Sequence, residues 1–80
     1  MHPSSALQAD ALFASALQCS DELNGSQIRQ AVTVALIAYG GAGCAGRVAQ
    51  EFGDHPEVAA DRMRWARAMV ALLDGAVLTP

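Results

Sequence analysis

The sequence predicts an all-α fold: a four-helix single domain that contains a trihelical helix-turn-helix. Three observations predict it. Apolar residues recur at steps of three and four along most of the chain, β-branched residues are few, and Gly53, Asp54 and Pro56 fall together between two apolar stretches. Eighty residues make one domain, 1–80, with the helix-turn-helix core at about 26–74. A chain this short buries only about 60% of the surface its unfolded form exposes, so its core is thin. The hydrophobic content of 52% overstates that core, because seventeen of the residues are Ala, which have little area to bury.

Helix one is expected over about 5–18. Pro3, Ser4 and Ser5 offer a start, and Leu7, Ala11, Phe13, Ala14 and Leu17 supply an apolar stripe. The polar stretch 20–25 ends in Asn24-Gly25, a loop signal, and Ser26 is the N-cap expected for helix two at about 27–39. The inner face of that helix reads Ile28, Ala31, Val32, Ala35, Leu36 and Tyr39. Val34, Ile37 and Ala38 make the opposite side apolar as well, leaving Arg29, Gln30 and Thr33 as a polar strip. A helix apolar nearly all round is covered on both sides, here by helix one or by a second copy of the chain.

The cluster Gly40, Gly41, Gly43 is expected to stop helix two, since Gly takes a left-handed cap conformation without steric cost. A short third helix follows at about 43–52, presenting Val48, Ala49 and Phe52, and Gly53 ends it. Asp54 with Glu57 has the form of a capping box, and Pro56 sits in the first turn, where its missing N–H costs nothing. Helix four then runs to about Asp74 with Gly75 as its cap, leaving a frayed tail at 76–80. Ala59, Met63, Ala66, Val70 and Leu73 read as its core face, and Val58, Arg62, Trp65, Met69 and Leu72 form the stripe beside them.

Charge and cysteine usage bound the function classes. The net charge is −3, the wrong sign for a free polyelectrolyte binder. Between Gly46 and Leu73, however, Arg47, Arg62, Arg64 and Arg67 balance Glu51, Asp54, Glu57 and Asp61, so this half is neutral. Cys19 and Cys44 lack the spacing of a zinc or redox motif and read as reduced thiols. There is no Gly-rich phosphate loop, no nucleophile constellation and no apolar carboxylate pair, so no enzyme, cofactor or metal is expected. His55, without a second His or Cys nearby, reads as a surface residue. No basic segment precedes an apolar one at the amino end, and the uncharged run 30–46 falls short of the ~20 residues that span a bilayer. A cytoplasmic protein without membrane contact is the expectation.

Arg47-Val48-Ala49-Gln50-Glu51-Phe52-Gly53, then Pro56-Glu57-Val58-Ala59, then Arg62-Met63-Arg64-Trp65-Ala66-Arg67 resembles the carboxy-terminal helix-turn-helix of bacterial sigma factors, the region that reads the −35 promoter element. The stretch 43–57 is also similar to small helical proteins of actinobacteria. Carried over by position, the sigma resemblance implies that His55, Glu57, Ala60, Asp61 and Arg64 approach a DNA groove and that Arg62 lies near phosphate. The chain departs from that family at Asp54, where an apolar residue is usual, and at Val58, where a hydroxyl residue would donate to phosphate. The resemblance implies a small DNA-binding or promoter-associated transcription regulator. The alternative is a homodimeric interaction module that binds protein and no DNA. Under either reading a two-fold homodimer is expected, through Val34, Ile37 and Ala38 with Trp65, Met69 and Leu72, which together exceed what helix one can cover.

Overall fold

The computed structural model describes residues 4–78, with side chains described through Leu73. Three helices make the fold: α1 (Ser5–Ala14), α2 (Gly25–Asp54) and α3 (Pro56–Leu78). The four-helix expectation is therefore corrected. Of the glycines at 40–46, only Gly40 leaves helical dihedrals, at φ 69° and ψ 171°. The chain resumes its helix at once, so the expected second and third helices form one element with a bend.

α1 starts where Ser4 Oγ accepts the Leu7 N–H at 3.2 Å. It ends four residues earlier than the apolar stripe suggested, because Ser15 turns extended and its hydroxyl donates to the Leu12 carbonyl at 2.6 Å. In the connection to α2 the Asp21 carboxylate accepts the Gln18 N–H at 2.9 Å, and the Asp21 N–H returns to the Gln18 carbonyl at 3.0 Å. Asn24, not Ser26, caps α2. Its side chain accepts the Gln27 N–H and the Gln27 side chain accepts the Asn24 N–H, both at 2.9 Å, which completes a capping box.

The bend at Gly40 is sharp. Nine residues of straight helix span about 13.5 Å and eight about 12 Å, yet the Cys44 thiol lies 3.7 Å from the Ala35 carbonyl and the Arg47 guanidinium 3.9 Å above the Tyr39 ring. A Cβ on Gly43 would sit 2.9 Å from that of Tyr39, so this approach also requires glycine. The second limb of α2 thereby returns to α1, where Phe52 stacks on Phe13 with ring centroids 6.3 Å apart.

The α2–α3 junction differs from the expected turn. Gly53 has no positive φ, Asp54 is the last residue of α2, and His55 alone separates the helices. Its N–H donates to the Glu51 carbonyl at 2.7 Å and its carbonyl accepts the Ala59 N–H at 2.8 Å. The Asp54–Glu57 box is not used, since the helix runs through Asp54 and Pro56 opens α3 by itself. At the far end the backbone of α3 continues through Gly75 to Leu78, so Gly75 is no cap. Of the frayed tail expected at 76–80, residues 79 and 80 lie outside the described residues, as does Pro3.

One core joins the three helices. α3 contributes Ala59, Met63, Ala66, Val70 and Leu73, all buried, as its periodicity predicts. α2 contributes Ile28, Val32, Ala35 and Cys44. α1 packs against both other helices, which also pack against each other, and buries Ala9, Ala11, Leu12 and Phe13, more of its circumference than a single stripe.

Candidate interaction surface

Arg62, the residue that the sigma resemblance places near phosphate, is committed inside the chain. Its Nε donates to the Phe13 carbonyl at 2.8 Å, and one terminal nitrogen donates to the carbonyls of Ser15 at 3.0 Å and Leu17 at 2.9 Å. The guanidinium also lies 4.9 Å from the Trp65 ring and 5.7 Å from that of Phe13. These carbonyls are at and beyond the end of α1, where helix geometry leaves acceptors without partners. Arg62 therefore clasps α3 to the end of α1, its guanidinium turned to backbone carbonyls.

The remaining residues of the expected DNA face surround the α2–α3 junction. His55, Glu57, Asp61 and Arg64 are exposed and Ala60 is half-buried. Arg64 forms an ion pair with Asp61 three residues before it. With Arg62 engaged by carbonyls, Asp54, Glu57 and Asp61 are exposed here beside Arg64, and Arg67 is exposed three residues further along α3. Glu57 sits in the first turn of α3, where its charge complements the helix dipole.

The expected self-association surface divides in two. Trp65 and Met69 are partly buried against the core, Trp65 beneath the Arg62 guanidinium. Leu72, at 60% exposure, stays outside the core on α3. On α2, Val34 is 58% exposed and Ile37 81%, with Ala38 exposed beside them. α1 covers one side of α2, and among the described residues nothing covers the opposite side.

Next to that side is an open groove of about 430 Å³ between the first limb of α2 and the segment after α1. Its floor includes Leu17, Ala31 and Ala35, and Val34, Ala38 and Tyr39 border it. Gln27, Gln30 and Ser15 supply its polar atoms, and no charged residue lines it. The sequence reading missed this groove because it forms only when α1 stops at Ala14 and the chain turns across α2. Among the described residues no group of three or more His, Cys, Asp or Glu is placed to hold a metal ion.

α2 is long and apolar enough to cross a membrane by length and composition. Its bend leaves 25–39 straight, about 22 Å of helix, against a hydrocarbon core of about 30 Å. No protein-family model, curated protein or solved structure matches the chain.

Proposed function

We propose that this chain is a non-enzymatic helical interaction module that pairs with a second copy of itself through the outer face of α2. The observation that carries this reading is the uncovered apolar strip of Val34, Ile37 and Ala38 beside an uncharged groove. Strip and groove together supply a knob and a hole on one face. Among the described residues Ile37 is the most exposed large apolar side chain, and the adjacent floor is built of Ala and Leu. A two-fold pairing needs a patch that complements itself, and a face carrying both features meets that requirement.

Magnitudes set the strength. Burying an Ile or Val side chain contributes about 1.5–3 kcal/mol, and a two-fold axis buries each of Val34 and Ile37 twice. Association costs at least about 4 kcal/mol in lost freedom. The surplus supports a reversible dimer of micromolar affinity or weaker. Duplex DNA is not the ligand this reading favours, since Arg62, the residue expected near phosphate, is occupied by backbone carbonyls. Sedimentation equilibrium from micromolar to millimolar concentration tests it. The expected result is a reversible monomer–dimer equilibrium that Ile37→Glu abolishes, and salt-dependent binding to duplex DNA that Arg64→Ala weakens would instead support the transcriptional reading.

A further inference from the structure

Twenty-nine of the thirty residues of α2 have helical backbone, and the whole change of direction rests on Gly40. We propose that Gly40 is a hinge through which two copies of the chain exchange residues 41–78, giving a domain-swapped dimer in which α2 runs straight.

The contacts divide in a way that permits the exchange. Phe52 stacks on Phe13, and Arg62 holds the carbonyls of Phe13, Ser15 and Leu17. Each of these joins a residue after the hinge to one before it. Straightening α2 carries Phe52 about 18 Å beyond Gly40 along the helix axis, out of reach of its own Phe13. A second copy presents the same Phe13 and the same three carbonyls, so these interactions re-form between chains. Only the contacts at the bend itself are forfeited: Arg47 over Tyr39 and the Cys44 thiol at the Ala35 carbonyl. A hinge of one residue leaves no slack between the two limbs, and short hinges favour such exchange.

Gly40 sets the balance. Its φ of 69° with ψ of 171° lies in a region almost confined to glycine. No atom lies within 4 Å of where its Cβ would be, so Gly40→Ala acts on the backbone conformation alone. Alanine resists the bent state and favours the straight helix, in both copies at once. The expected shift in the monomer–dimer equilibrium is at least about a hundredfold toward dimer, tenfold or more for each chain.

The test combines mass with an internal distance. Gly40→Ala is made with Ile37→Glu, so that pairing through the outer face of α2 cannot supply the dimer. Spin labels at Thr33→Cys and Gln50→Cys in a Cys19→Ser background, diluted with unlabelled chain, report the distance within one chain. The expected result is a dimer by light scattering with labels about 26 Å apart along the axis, as in a continuous helix. A folded monomer, or a dimer that keeps the shorter distance of the bent chain, overturns the proposal. If Gly40→Ala does not fold, the Ile37→Glu chain with Gly40 intact is refolded at millimolar concentration. A slowly dissociating dimer with the long distance then supports the exchange, and monomer alone overturns it.

Discussion

Arg62 shows how a side chain's surroundings decide its role. In the sequence it lies within an otherwise apolar stripe of helix, between Val58 and Trp65, and an Arg in such a place needs acceptors nearby. That signal was legible; the identity of the acceptors was not, because the carbonyls of Phe13, Ser15 and Leu17 converge only after α1 ends. Hydrogen bonds involving a charged group contribute roughly 1.5–3 kcal/mol. Arg62→Ala is therefore expected to lower stability by about 2 kcal/mol in urea melts, and Arg62→Lys to recover little, since one ammonium cannot reproduce the planar fork. Burial pushes the Cys44 thiol above its ordinary value, with the Asp10 carboxylate adding to the shift and Arg47 opposing it. The unfolded chain then releases this proton first. The associated stability is intact below about pH 8.5, the unfolded thiol's pKa, and is lost as pH rises through the folded value. In a Cys19→Ser background, Cys44→Ala should reduce the alkaline fall in urea midpoint; an identical fall in both proteins would count against the buried thiol as its source.

At the scale of elements, periodicity identified helical segments and the core face of α3, whereas the stops between segments were misread. Gly and capping residues signal termination only when the chain has somewhere else to go. Gly53 and Asp54 stay helical, and the break falls at His55 because the following Pro56 disfavours helical dihedrals in the residue before it. Since Gly53 has helical φ and open space where a Cβ would stand, Gly53→Ala should raise stability by about 0.5–1 kcal/mol, visible as a higher melting temperature. A loss would restore the left-handed turn expected from the sequence. Asn24→Ala, which removes half of the capping box at the start of α2, should cost about 1 kcal/mol, whereas Ser26→Ala should be near neutral.

For the whole molecule, the balance between thin core and uncovered surface governs behaviour. The apolar faces of α2 were visible in the sequence, as was their excess over what α1 covers. Their division was not, because it depends on Arg62 drawing Trp65 under its guanidinium while Val34 and Ile37 stay outside. The exposed strip makes concentration the controlling variable and charge on the strip the decisive perturbation. Ile37 is 81% exposed, so Ile37→Glu leaves the monomer's core unchanged. Sedimentation equilibrium of the wild-type chain and of Ile37→Glu, run in parallel from micromolar to millimolar concentration, tests self-association through α2 most directly. The wild type is expected to form a rapidly reversible dimer, and the variant, folded when dilute and never unfolded at high concentration, to stay a folded monomer; a wild-type monomer at every concentration, or a rapidly reversible dimer indifferent to Ile37→Glu, would contradict self-association through α2.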